Sequence, residues 1–101
     1  MQDVEIKIFK LGEDAIENFQ NGLYDLAIVD LLLKKSPMQG KEVIEKIREL
    51  DNKIPIIIIT GTEYGAAPLN IVYKNLKISK WIKKPVYASE LETIIRGYID
   101  N

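Results

Sequence analysis

The sequence predicts an α/β fold: a parallel sheet with crossover helices, in a (βα)4 arrangement. Three observations predict it. Strand-length apolar stretches alternate with helix-period stretches along the chain, and the connections between them are short. Two of the strands, residues 26–29 and 56–59, are apolar on both faces, as buried parallel strands are. No hairpin-type turn joins consecutive strands, so each step from strand to strand passes over a face of the sheet, and a right-handed crossover is expected each time.

Val4, Ile6 and Ile8 alternate with Glu5 and Lys7, the period of a half-exposed strand over residues 4–11 that Gly12 ends. Ala15, Ile16 and Phe19 follow at helical spacing, and Asn21-Gly22 suits a helix end. The apolar strand 26–29 stops at Asp30. A loop over 31–40 contains Ser36, Pro37 and Gly40. Val43, Ile44, Ile47 and Leu50 then mark one face of a second helix whose other face carries Lys41, Glu42, Glu45, Lys46 and Glu49. The third strand follows Pro55 and stops at Thr60. Gly61, Gly65 and Pro68 make the next loop irregular, and residues 69–77 form a short third helix. Trp81-Ile82-Lys83 is a short strand ending at Lys84-Pro85. Ser89-Glu90-Leu91-Glu92 has the Ser-x-x-Glu form of a capping box and opens a last helix on Leu91, Ile94, Ile95, Tyr98 and Ile99.

The 101 residues suit one domain, residues 1–101. With 14 basic and 15 acidic residues the net charge is -1, which supplies no field favouring nucleic acid or an anionic membrane. The longest strictly apolar run, residues 56–59, is far below the roughly 20 residues of a membrane span, and the N-terminus does not resemble a signal peptide; a cytoplasmic location is expected. The chain has no cysteine and no histidine, which excludes disulfides, thiolate metal sites, a Ser/His triad and a histidine phosphocarrier. No Gly-x-Gly-x-x-Gly or Walker-type loop is present, so dinucleotide and nucleoside triphosphate readings lack their necessary part.

What remains is a constellation at the strand ends. In an open parallel sheet the carboxyl ends of the strands meet on one edge, where ligands bind, so Asp30, Thr60 and Lys84 place a carboxylate, a hydroxyl and an ammonium together. That set suits phosphoryl chemistry, in which positioning and charge neutralisation dominate.

Tyr24-Asp25-Leu26-Ala27-Ile28-Val29-Asp30, Met38-Gln39-Gly40, Thr60-Gly61 and the stretch Ile78-Ser79-Lys80-Trp81-Ile82-Lys83-Lys84-Pro85-Val86 together resemble the receiver domains of two-component response regulators. The resemblance implies a flavodoxin-like fold with strand order 2-1-3-4-5, and a signalling module rather than an enzyme. It implies Asp30 as phosphoacceptor, Thr60 as the hydroxyl that binds the phosphoryl group, Lys84 as its cation, and a cis Lys84-Pro85 peptide. Trp81 stands at the aromatic position that switches rotamer with Thr60; plain core packing is the competing reading. A sensor histidine kinase or phosphotransfer protein is the implied partner.

Three departures qualify it. The loop after Asp30 is about two residues longer than the family's, and Lys77 stands where glycine is common. The third is larger: the chain begins where the family's second strand begins, without the first strand, its acidic pair and the first helix. Those acids hold the family's Mg²⁺, so only Asp30 and the Leu32 carbonyl remain as ligands, and metal-dependent phosphorylation is expected to be impaired. Glu13 and Asp14, the one adjacent acidic pair, read as helix N-terminal charges. The missing strand belongs between residues 4–11 and the strand ending at Asp30, so its loss leaves a gap or forces direct pairing. Direct pairing puts the first three helices on one face and the last alone on the other, a thinly covered face from which self-association is expected. Alternatives are a working phosphoacceptor, with the acidic pair lost by truncation or supplied by a partner, and a small flavodoxin-like enzyme or flavin carrier.

Overall fold

Burial of the two apolar runs organises the molecule. The computed structural model describes residues 6–19, 23–31, 38–61 and 74–99. Within them, β1 is Ala27–Asp30, β2 is Ile56–Thr60 and β3 is Lys80–Lys83. They form one parallel sheet in the order β1-β2-β3, with Ala27 opposite Ile56 and Ile57 opposite Lys80. The central strand has Ile56, Ile57 and Ile58 at 0% exposure, which explains why its sequence shows no alternation.

Helix α1 is Gly12–Asn18, α2 is Gly40–Leu50 and α3 is Ala88–Ile99. The apolar stripe of α2, Val43, Ile44 and Ile47, joins Val29, Ile54, Ile56 and Ile58 in the main core, and Ile16 and Phe19 from the α1 segment pack onto it. Ile57 and Ile82 have the opposite parity in the register and are buried on the other face, on the side of α3 with its buried Ile95. α1 and α2 pack together, and α2 supplies the main core on one face of the sheet.

Four expectations are corrected. Residues 6–11 form no strand where one was expected over 4–11: the sheet among the described residues holds β1, β2 and β3 alone, and residues 4 and 5 lie outside the described residues. Instead a groove of about 500 Å³ separates this segment from β1. Residues 6–11 are not paired with β1 in the sheet, so the direct pairing anticipated as one outcome does not occur among the described residues. The short helix over 69–77 is a single 3-10 turn at Lys74–Leu76 in its described part. The first helix ends at Asn18, with Phe19 extended after it, before Asn21-Gly22, which lie outside the described residues. Ser89 is inside α3 rather than at its cap, its carbonyl accepting from the Thr93 hydroxyl at 3.0 Å. The return half of a capping box is found at α2 instead, where Glu42 accepts the Gln39 amide at 3.4 Å.

Candidate functional site

Asp30 closes β1 and Lys84 follows β3, so the parallel register brings both to the carboxyl edge of the sheet on either side of β2. Their side chains meet: Lys84 Nζ donates to Asp30 Oδ2 at 2.7 Å, with the two side chains 44% and 35% exposed. This is the short charge-assisted geometry of an ammonium on a carboxylate, at a solvent-facing place where such a pair contributes about 0.2–1 kcal/mol.

Thr60 ends the strand between them and is 3% exposed. Its carbonyl accepts the Lys84 amide at 2.8 Å, so the central strand fixes the backbone from which the lysine reaches across. The Lys84-Pro85 peptide is cis. Trp81 pairs in register with Ile58 and packs against the main core. Leu32 lies outside the described residues.

The approach to Asp30 is set by contact. A Cβ on Gly40 would lie 2.4 Å from the Asp30 carbonyl oxygen and 2.7 Å from Leu31 Cα, so only glycine lets the first turn of α2 sit against the end of β1. The Gly40 amide donates to the Leu31 carbonyl at 3.4 Å. Glu13 reaches the same loop from α1, accepting the Met38 amide at 3.2 Å, while Glu13 and Asp14 occupy the first turn of α1 as the sequence suggested.

Among the described residues no group of three or more acids could hold a metal, and the Asp30 carboxylate is engaged by Lys84. Hard cations need several oxygen ligands, and among the described residues the Asp30 carboxylate, already paired with Lys84, stands without a group of further acids to supply them.

Two features escaped the sequence reading. Arg48 donates to four backbone carbonyls, those of Leu76 at 2.7 Å, Lys77 at 2.9 Å, Ile54 at 2.7 Å and Asp51 at 3.3 Å. Burial holds its guanidinium below the ordinary arginine value, with the Asp51 charge acting in the other direction. Beside it Lys77 has φ 55, the left-handed region that favours glycine. The only signal was that Lys77 stands where the resembled pattern has glycine.

The sequence profile of the response regulator receiver domain matches residues 1–96. This chain belongs to the response regulator receiver family. The receiver is 34% identical over 85 residues to the transcriptional regulatory protein DltR of Streptococcus agalactiae, an alignment covering 84% of this chain and 36% of the relative. It therefore spans about a third of that relative's length. Its fold is similar to the receiver domain of HemR from Leptospira biflexa, with TM-score 0.74 and 21% identity over 91% of this receiver and 71% of that chain. It is also similar to the receiver domain of the sensor histidine kinase PA1611 from Pseudomonas aeruginosa, with TM-score 0.71 and 20% identity over 96% and 78% of the two chains. In that structure a magnesium ion is coordinated in the active-site cleft. The family and the flavodoxin-like parallel sheet are as the sequence suggested, and no helix among the described residues is long and apolar enough to cross a membrane.

Proposed function

We propose that this receiver is a module of a two-component phosphorelay that acts through protein contacts, with Asp30 at the position of the phosphoacceptor and Mg²⁺-dependent phosphorylation impaired. The observation that carries the proposal is the Asp30–Lys84 pair at 2.7 Å without further acids grouped around it among the described residues. Asp30, the acceptor in this reading, and Lys84, its cation for a phosphoryl group, are paired, so each neutralises the other. Thr60, on the strand between them, would supply the hydroxyl. An incoming phosphoryl group would have to displace Asp30 from Lys84 and would meet one cation instead of a cation and a metal.

The partner class is a sensor histidine kinase or phosphotransfer protein, approached at the carboxyl edge of the sheet. The domain's own contribution is recognition rather than catalysis or DNA contact; its net charge of -1 supports that division, and the regulatory activity in DltR's name belongs to a protein more than twice as long.

Beryllofluoride with Mg²⁺, followed by amide NMR, tests the reading. The Thr60 and Lys84 amides are expected to stay in place at millimolar Mg²⁺. Saturable shifts of both, abolished by Asp30→Asn, would show a working acceptor and overturn the impaired reading.

A further inference from the structure

Helix α1 reaches into the entry of α2, and the entry of α2 touches Asp30. In the first turn of α1, the Glu13 carboxylate accepts the Met38 amide at 3.2 Å, a partly buried bond that joins residues 25 apart. Gly12 beside it is buried, and a Cβ there would lie 2.8 Å from the Met38 carbonyl oxygen and 2.7 Å from Val43 Cγ2, so the start of α1 is seated on the Met38 backbone. Met38 immediately precedes Gln39, the N-cap of α2, and packs against the main core, which is the position that fixes the angle at which a chain enters its helix. The next two amides are held at longer range. Gln39 donates to Glu42 at 3.4 Å and Gly40 to the Leu31 carbonyl at 3.4 Å, both beyond the usual span of an N–H···O bond. An ionised carboxylate is a stronger acceptor than a carbonyl, so Glu13 supplies the firmer hold on this entry. Gly40, the residue so placed, is the one whose backbone lies against the Asp30 carbonyl.

We propose that Glu13 is a positioning residue of the Asp30 site: it fixes the entry of α2 against the end of β1 and thereby holds the Asp30 carboxylate in reach of Lys84. A side chain at a working site keeps its geometry through the groups that support it, and Glu13 supports Asp30 through Met38 and Gly40. The functional consequence rests on the reading of Asp30 as phosphoacceptor. There an incoming phosphoryl group must break the Asp30–Lys84 pair, so the group that keeps the pair closed also sets how readily the acceptor opens.

Solvent exchange of the Lys84 ammonium protons, read by NMR from the nitrogen–proton correlation of the side chain, tests the proposal on the 101-residue chain without any phosphoryl group. Exposed Lys80 is the internal reference, and Asp30→Asn sets the rate of an unpaired Lys84. Glu13→Ala is expected to speed Lys84 exchange about threefold, in keeping with the strength of a solvent-facing pair, with Lys80 unchanged. Glu13→Gln is expected to stay near the parent rate, because its side-chain carbonyl still accepts the Met38 amide. Ile95→Val, which loosens α3 away from this contact, is expected to leave Lys84 as it is. Glu13→Asp, one methylene too short to reach Met38, replaces Glu13→Ala if that variant does not fold. A parent rate in Glu13→Ala beside a raised rate in Asp30→Asn overturns the proposal and leaves the phosphorelay reading standing. Exchange in Glu13→Gln or Ile95→Val as fast as in Glu13→Ala reduces Glu13 to a source of stability and also overturns it. An unchanged rate in Asp30→Asn overturns it too, and removes the ion pair that carries the phosphorelay reading.

Discussion

Three single residues carry structural demands that composition hides. Lys77 holds φ 55 with a side chain that donates to Asn52 Oδ1 at 3.2 Å on the surface. The left-handed backbone costs a non-glycine residue about 1 kcal/mol, more than an exposed hydrogen bond returns, so Lys77→Gly is expected to stabilise the domain by about 0.5 kcal/mol in urea unfolding. Gly40 is the converse case. Gly40→Ala forces its Cβ into the Asp30 carbonyl, where backbone rather than a flexible side chain must give, and a loss of about 3 kcal/mol is expected by the same measurement. Arg48→Ala removes a charged donor from four carbonyls, with an expected loss of about 2 kcal/mol. Arg48→Lys is expected to recover little of it, because a single ammonium cannot span carbonyls arranged for a planar fork.

At the scale of elements, the strands that could be read correctly are the ones whose burial is written into their own residues. Ile56 to Ile59 can only be a core strand, and Ile58→Ala there is expected to cost about 4 kcal/mol, a large part of the roughly 5–15 kcal/mol that stabilises a typical domain. Residues 6–9 show the limit. Ile6 and Ile8 have strand periodicity, yet a strand exists only where a second backbone lies alongside, and that neighbour is not encoded in the segment itself. The same asymmetry governs the site. Asp30 and Lys84 were legible because each stands where an apolar run stops, and β-strand geometry turns those positions into a meeting point. Arg48 was not, because its partners are main-chain carbonyls, which every residue has, and nothing about the identities of Leu76 or Ile54 marks them as acceptors.

At the scale of the whole molecule, the central strand β2 is buried from both sides: Ile56 and Ile58 lie in the main core with the apolar stripe of α2, and Ile57 is buried on the opposite face.

Helix α2 is held at both ends. It is 11 residues long, or about 16 Å end to end. Its first turn is seated on the Asp30 backbone through Gly40, and its last is fastened by Arg48 to the carbonyls of Leu76 and Lys77, just ahead of β3. The helix is thus a strut from the end of the first strand to the beginning of the third, and on the way it packs on the central strand and holds the Ile54 carbonyl ahead of it. The two members of the ion pair are therefore tied together twice: once by their charges, and once the long way round, from Asp30 through α2 and Arg48 to the segment that enters the strand just before Lys84.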